Sequence, residues 1–204
     1  MELVDNYQKI ICPIPAVYLH IPFCRHICPF CSFAVKRDRS ELHEKYIQGM
    51  AVEIERRAAW MKENIQFNRD ENFFVENLLE SIYFGGGTPS SLRIQEVVYL
   101  LSQVRNSFPW SDKIEISFEM NPEDVNPEYL RGLAEIGVNR LSLGGQSFQS
   151  STLKKLRRIH SGSELRQSLK AIADSAIDNW NLDLMFGIPG QSISMFRKDV
   201  EEAL

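Results

Sequence analysis

Five strand-like segments alternate with helical segments along the 204 residues of this chain. Short apolar runs and alternating faces predict strands at 16–22, 81–84, 113–118, 140–143 and 181–186. Helices are predicted at about 41–64, 91–106, 127–136, 149–158 and 163–176, with a last one from about 194. Successive strand–helix units predict an α/β fold with a parallel sheet and right-handed crossovers, either open and doubly wound or curved like a barrel.

Two of the predicted helices have clear start signals. Ser40 is expected to cap the first helix, and Asn126 followed by Pro127 is a typical helix start, with Gly137 as the stop. The first helix is predicted to bury one face, made of Leu42, Tyr46, Met50, Ile54, Ala58 and Met61.

Each predicted strand is followed by an unusual polar, cysteine-rich or glycine-rich segment. The carboxyl ends of parallel strands meet at one edge of a sheet, where α/β proteins bind their ligands. A triple glycine lets the backbone approach a ligand, although a tight turn explains it equally well and no phosphate-loop pattern follows. The segments are the cysteine loop at 24–31, Gly85–Pro89, Glu119–Pro122, Gly144–Ser147 and Phe186–Gly190.

Three cysteines lie on the loop after the first strand. Cys24, Cys28 and Cys31 have the spacing Cys-x3-Cys-x2-Cys, which is typical of an iron–sulfur cluster ligand set. Because a four-iron cluster with three protein thiolates keeps one open iron, it can bind a small molecule. A structural zinc site, with His20 or His26 as fourth ligand, is the alternative, whereas a disulfide would leave an odd thiol.

Single side chains at the same predicted edge have both binding and structural interpretations. Glu119 could accept hydrogen bonds from a ribose diol or pair with an arginine, and Gln146 could bind a ligand or belong to a turn. Asp183 interrupts an apolar strand, so it is expected to pair with a base or touch a ligand. Arg158 could bind a carboxylate or lie on a solvated helix face, and His160 is interpreted as a polar loop residue rather than a base.

Composition excludes several classes of function. The net charge of −4 gives no electrostatic support for nucleic-acid binding. No run of about 18 apolar residues occurs, so no membrane span is predicted. The polar, acidic N-terminus is unlike a signal peptide, which indicates a cytoplasmic protein with reduced thiols. Cys12 lies outside the cysteine loop and is interpreted as a bystander.

Together these segments resemble the radical S-adenosylmethionine (SAM) superfamily. Within it, they are most similar to the oxygen-independent coproporphyrinogen III oxidase family, and especially to its heme chaperone branch. The resemblance covers residue 16 to the C-terminus. Beside the cysteine loop, the motifs that carry it are Tyr18-x-His-Ile-Pro-Phe-Cys24, Phe84-Gly-Gly-Gly-Thr-Pro-Ser90, Glu119-x-Asn-Pro122, Asn139-Arg-Leu-Ser-Leu-Gly-x-Gln-Ser-Phe148, Leu156-Arg-Arg-x-His160 and Asp183-Leu-Met-Phe-Gly-Ile-Pro-Gly-Gln191.

The resemblance implies cofactors, ligands and partners. Cys24, Cys28 and Cys31 would hold a [4Fe-4S] cluster whose open iron binds SAM. Heme is a further candidate ligand, and the implied partners are heme or a porphyrinogen, an electron donor and a heme-accepting protein. No catalytic side chain is assigned. The residues implied to contact SAM are Tyr18, Phe30, Gly86, Gly87, Thr88, Glu119, Gln146, Arg158 and Asp183.

The resemblance also implies a fold and a domain organisation. The expected fold is a parallel (βα) partial TIM-type barrel, which in the family has six strand–helix units and a further C-terminal domain. We expect an N-terminal extension at 1–15 and an incomplete radical SAM core at 16–204 that stops after the fifth unit. On this expectation the chain is an N-terminal fragment.

One position separates the two branches of the family. The oxidase has an additional cysteine two residues after the third cluster ligand, and this chain has Phe33 there. The difference favours a heme chaperone over an anaerobic coproporphyrinogen III dehydrogenase, which would decarboxylate coproporphyrinogen III to protoporphyrinogen IX. Whether the chain is an enzyme therefore stays open at this point.

Overall fold

The computed structural model describes residues 16–64 and 78–204. The predicted extension at 1–15, which contains Cys12, lies outside the described residues. So does most of the segment between the first helix and the second predicted strand, 65–77.

Strands occur at all five predicted places, and three of the five are longer than predicted. Residues 16–64 and 78–204 contain seven strands, which are β1 (Ala16–Ile21), β2 (Phe23–Cys24), β3 (Lys36–Arg37), β4 (Leu79–Gly86), β5 (Trp110–Met120), β6 (Arg140–Gln146) and β7 (Asn179–Leu184). One sheet has the order β1-β4-β5-β6-β7, and β5–β6 and β6–β7 are parallel pairs. The second sheet pairs β2 with β3, which the sequence did not predict. The predicted α/β class with a parallel central sheet is confirmed.

Helices occupy the intervals between the main strands, as expected for crossover connections. Asn126 caps α3 as predicted, because its side chain accepts a hydrogen bond of 2.9 Å from the Tyr129 N–H. No helix of the described part of the chain is long and apolar enough to cross a membrane. The described residues contain six α-helices, which are α1 (Ser40–Asn64), α2 (Ile94–Ser107), α3 (Pro127–Glu135), α4 (Ser150–Lys155), α5 (Gly162–Ala173) and α6 (Ile193–Ala203).

The buried face of α1 differs from the predicted one. Leu42 is 38% exposed, and Tyr46, Met50 and Met61 are only half-buried. The polar His43 is buried and pairs with the buried Glu96 of α2 across 3.8 Å. Apolar side chains occur on most sides of this helix, so their spacing alone does not determine which face is buried. The stripe that the structure buries is His43, Ile47, Ala51, Ile54 and Ala58.

The described residues form two compact units. One contains Tyr18–Arg39, Tyr83–Ile94 and Ile116–Leu204, and the other contains α1, most of α2 and the remaining described residues. All the predicted site residues belong to the first of these units.

The pleat of β5 and β6 separates an apolar face from a polar one in this unit. Phe118 is fully buried beside the ring of Phe84, with centroids 5.4 Å apart, and is in register with the buried Leu141. The next residues, Glu119 and Ser142, are also in register and point to the opposite face. The apolar face supplies the core, so the polar face and the strand ends are free to form a site.

Candidate cluster and cofactor site

Residues near the carboxyl ends of the five main strands, or from the segments that follow those strands, line one cleft. Of the residues predicted for the site, only Tyr18 is not part of the lining. The predicted residues in the lining are Cys24, Cys28, Phe30, Cys31, Gly86, Gly87, Thr88, Glu119, Gln146, Arg158 and Asp183. The cleft lies at the carboxyl ends of parallel strands, where ligand sites of α/β proteins are expected.

The cysteine loop is closed at its base by the β2–β3 pair. Phe23 is in register with Lys36, and Cys24 with Arg37. The Asp38 N–H donates to the Cys24 carbonyl over 2.8 Å, and within the loop the Cys31 N–H donates to the Cys28 carbonyl over 3.1 Å. The loop is therefore held as a defined structure by its own backbone.

The three thiols are free and differ in environment. Cys24 is buried, whereas Cys28 and Cys31 are half-buried. Burial raises the pKa of the Cys24 thiol, and a hydrogen bond from Thr88 and the charge of Arg158 partly oppose this rise. The Thr88 hydroxyl donates to the Cys24 sulfur over 3.4 Å.

A chain of hydrogen bonds connects two of the three sulfurs. The Asn121 side-chain N–H donates to the Thr88 hydroxyl over 3.1 Å, and Arg158 donates to the Asn121 side-chain Oδ1 over 2.8 Å. The second terminal nitrogen of Arg158 donates to the Cys28 sulfur over 3.6 Å. Thr88 and Arg158 therefore each contact a sulfur directly, and Asn121 fixes them relative to each other.

The two histidines considered as a fourth zinc ligand differ in their contacts. The His20 ring is engaged at both nitrogens, since Nε2 donates to the Ala34 carbonyl over 2.8 Å and Nδ1 accepts from Tyr18 over 3.2 Å. His26 lines the cleft, and its buried Nε2 has no hydrogen-bond partner. Among residues 16–64 and 78–204, no three His, Cys, Asp or Glu side chains are grouped so that they could hold a single metal ion.

The glycines after β4 bring the backbone close to its neighbours. Gly86 has a positive φ of 114°, and a Cβ there would lie 2.5 Å from the His20 ring. A Cβ on Gly87 would lie 2.7 Å from the Pro22 backbone. The Gly86 N–H donates to Glu119 over 3.1 Å. Only glycine fits both positions, so close approach explains the motif better than turn geometry alone.

Replacing Gly86 by Ala is expected to destabilise the fold and displace the His20 ring. The positive φ and the 2.5 Å approach to that ring both penalise a methyl group, at a cost of about 1–3 kcal/mol. Gly49 is the matched control, because it lies within α1 and a Cβ there meets nothing within 4 Å. Gly49→Ala should stabilise the helix by up to about 1 kcal/mol. Thermal unfolding of both variants measures the contrast, and equal melting temperatures would refute it.

Glu119 is held at the cleft by a tyrosine as well as by Gly86. The Tyr83 hydroxyl donates to Glu119 over 2.8 Å, and burial together with this carboxylate raises the pKa of Tyr83 well above its usual value. Tyr18 stacks on Tyr83 with ring centroids 5.9 Å apart and is 57% exposed. Tyr18 therefore lies beside the cleft, in contact with the residue that orients Glu119.

Asp183 is exposed rather than buried in an apolar strand. Ser142 donates to its Oδ2 over 3.2 Å, and Asn181 donates to its Oδ1 over 2.9 Å. The sequence-based expectation of a pairing base is therefore not met by these two partners, which are neutral donors. Their hydrogen bonds orient the carboxylate on the polar face of the sheet.

His160 is buried and supports the end of β6. Its Nε2–H donates to the Gly145 carbonyl over 3.0 Å, and its Nδ1 lies 3.5 Å from Glu123. Burial would raise the pKa of Glu123, but the His160 imidazole and the charge of Arg158 hold it below its usual value. His160 is thus a structural loop residue beside the cleft, in keeping with its interpretation from the sequence.

Several site residues were not identified from the sequence. Asn121 lies inside the quoted Glu-x-Asn-Pro motif, so its motif position was a usable signal. Ser142 could have been found from the alternation of β6, which places it on the face of Gln146. Arg25 and Asp124 gave no signal, although Arg25 lies 2.7 Å from the buried Asp124 and ties the cysteine loop to the segment after β5.

Comparisons with known proteins agree with this geometry. The model of the radical SAM superfamily matches residues 18–203. The heme chaperone HemW of Haemophilus influenzae is 33% identical over 193 residues, which is 94% of this chain and 48% of that protein. The oxygen-independent coproporphyrinogen III oxidase of Synechocystis is 29% identical over 98% of this chain and 40% of that protein.

A solved structure shares the fold. The coproporphyrinogen III oxidase HemN of Escherichia coli, described as a radical SAM enzyme, superposes with a TM-score of 0.79 at 24% identity. The superposition covers 99% of this chain and 44% of that one. The chain thus spans about half the length of the curated relatives it matches.

Proposed function

Because the chain belongs to the radical SAM superfamily, we propose that it is a heme chaperone that binds a [4Fe-4S] cluster and SAM at this cleft and binds and transfers heme. Membership of the superfamily implies the cluster and SAM. The heme-handling role rests on the similarity to heme chaperones, one of them 33% identical over 94% of this chain.

The residues of the cleft fit the implied cofactors. Cys24, Cys28 and Cys31 are free thiols on one closed loop, and hydrogen bonds from Thr88 and Arg158 reach two of the sulfurs. Donors to sulfur stabilise the thiolate form that binds iron. Once held by these thiolates and reduced by an external electron donor, such a cluster would supply one-electron reduction of the SAM sulfonium.

Different parts of the lining suit different parts of SAM. Arg158 offers a guanidinium for the methionine carboxylate, and Gly86, Gly87 and Thr88 would lie at the methionine end. Glu119 and Asp183 offer carboxylate oxygens to hydroxyl or ammonium donors. The remaining proposed contacts are Tyr18, Phe30 and Gln146.

Within the cleft, Phe33 is the residue that favours the chaperone over the oxidase. It stands where the oxidase has its additional cysteine, lines the cleft and is 70% exposed. A phenyl ring can neither ligate iron nor exchange protons. The alternative, coproporphyrinogen III dehydrogenase, is supported by the 29% identical oxidase and by the fold shared with HemN.

The experiment that tests the proposal offers both substrates to the anaerobically reconstituted protein. With reductant, SAM and coproporphyrinogen III, we expect no protoporphyrinogen IX. With heme, we expect a new Soret band and loss of that band on addition of a heme-accepting apoprotein. Formation of protoporphyrinogen IX would establish the oxidase instead, and failure to take up heme would overturn the chaperone role.

A further inference from the structure

A buried carboxylate outside the cleft holds the end of β6. Asp199 of α6 is 0% exposed. Its Oδ2 accepts from the Ser147 hydroxyl over 2.7 Å, and its Oδ1 accepts from the Phe148 N–H over 2.9 Å. A buried charge is costly unless its oxygens accept hydrogen bonds, so these two contacts account for how Asp199 is tolerated there.

Both donors directly follow Gln146, whose backbone is unusual. Gln146 has a φ of 68°, in the left-handed region that non-glycine residues seldom occupy. The β6–β7 register is irregular between Leu143 and Gln146. Such a conformation persists only where surrounding contacts impose it.

Other hydrogen bonds also hold the backbone turn at Gln146, both from the segment after β7 and between residues of the turn itself. The Met185 N–H donates to the Gln146 carbonyl over 2.9 Å, and the Ser147 N–H donates to the Gly145 carbonyl over 2.9 Å. The Ser147 hydroxyl also accepts from the Gln149 N–H over 3.0 Å. Asp199 adds the support from α6, so the backbone is held on both sides of Gln146.

The turn decides where the Gln146 side chain lies. Gln146 lines the cleft, and its amide nitrogen lies 3.3 Å from the position of a Cβ built on Gly144. A relaxed φ at Gln146 would turn this side chain away, because a change in backbone dihedral rotates the direction of Cβ.

We propose that Asp199 is a positioning residue that keeps Gln146 in its left-handed conformation and so aims the Gln146 amide at the bound SAM. This inference rests on the proposed function, in which Gln146 contacts SAM. It assigns a role in cofactor binding to a residue on α6 that does not line the cleft.

The test measures SAM affinity by anaerobic equilibrium dialysis, together with iron content and melting temperature. Asp199→Ala should weaken SAM binding by about tenfold, which is the low end for supporting residues around a site. Asp199→Asn keeps one carbonyl acceptor and should recover part of the affinity. Glu201→Ala, an exposed carboxylate of the same helix, is the control and should bind SAM as the original chain does. Iron content should be unchanged in all three.

A double-mutant cycle separates positioning from general stability. If Asp199 acts through Gln146, adding Asp199→Ala to Gln146→Ala should change SAM affinity by less than about twofold. The proposal is overturned if Asp199→Ala lowers SAM affinity as much in the Gln146→Ala background as in the original chain. It is also overturned if Asp199→Ala lowers the melting temperature and leaves SAM affinity unchanged.

A milder variant covers the case in which Asp199→Ala does not fold. Ser147→Ala removes one donor and leaves the Phe148 N–H bonded to Asp199, so a loss of about threefold is expected. Affinity equal to that of the original chain would count against the proposal. If the original chain itself binds no SAM, the proposed function fails, and this outcome is distinct from failure of the Asp199 role alone.

Discussion

Replacing Cys28 by Ala is expected to abolish the iron–sulfur cluster and reduce bound iron to background. Two remaining thiolates cannot hold a four-iron cluster that normally uses three protein ligands at this kind of site. The backbone closure of the loop does not involve the Cys28 side chain, so the fold around it should survive. Iron and acid-labile sulfide analysis after anaerobic reconstitution measures the effect.

Cys12→Ala is the matched control for this prediction. Cys12 lies outside the cysteine loop in the sequence, and its variant should retain the iron and sulfide of the original chain. Full iron content in Cys28→Ala, or loss of iron in Cys12→Ala, would mean that the ligand set is wrong.

Replacing Arg158 by Ala is expected to weaken SAM binding by at least about 100-fold, which corresponds to about 3 kcal/mol. Arg158 donates to Asn121 and to the Gly144 carbonyl, both over 2.8 Å, and to the Cys28 sulfur over 3.6 Å. Its removal takes away the proposed partner of the SAM carboxylate and loosens the contacts that fix Thr88 through Asn121. Anaerobic titration with SAM measures the affinity.

Arg158→Lys should not restore binding, because an ammonium group cannot reproduce the planar fork that reaches several acceptors at once. Lys154→Ala removes an exposed cation from the nearby α4 and should leave SAM affinity unchanged. Iron content should persist in all three variants, since the thiolates remain. SAM affinity in Arg158→Ala within about threefold of the original chain would exclude Arg158 from the site.

Much of the site was predictable because the alternation of strands and helices, and the residue types that bind ligands, can both be recognised in short stretches of sequence. The alternation of strands and helices placed every unusual segment at one edge of the sheet. The structure brings residues of four of these five segments into one cleft, with Asp183 of β7 there instead of the fifth segment, Phe186–Gly190. The Asn126 cap was predictable for the same reason, since the capping side chain and the N–H that donates to it lie three residues apart.

Other features depend on packing that no local pattern contains. The α1 face was predicted from apolar residues, yet the structure buries the polar His43 because Glu96 of α2 lies beside it. Asp199 follows Lys198 in a helix and looks like a solvated charge until the helix is packed against the end of β6. Both cases are buried polar groups whose partners are distant in sequence, so spacing gives no signal for them.

The cysteine loop likewise has structural features that its sequence pattern does not predict. The spacing of the cysteines predicted the proposed cluster ligands, but the β2–β3 pair that closes the loop involves strands of two residues each. Such short strands have no recognisable periodicity. The contact of Arg25 with the buried Asp124 also could not be predicted from the sequence, because it links residues about a hundred positions apart along the chain.

In the proposed site, three protein thiolates hold a cluster with one iron open to SAM. The electron paramagnetic resonance spectrum of the reduced, reconstituted protein, recorded with and without SAM, is the decisive measurement. We expect a reduced [4Fe-4S] signal whose g values shift when SAM is added, because SAM would bind the open iron. A protein that contains zinc and no iron, or a cluster signal that SAM leaves unchanged, would contradict it.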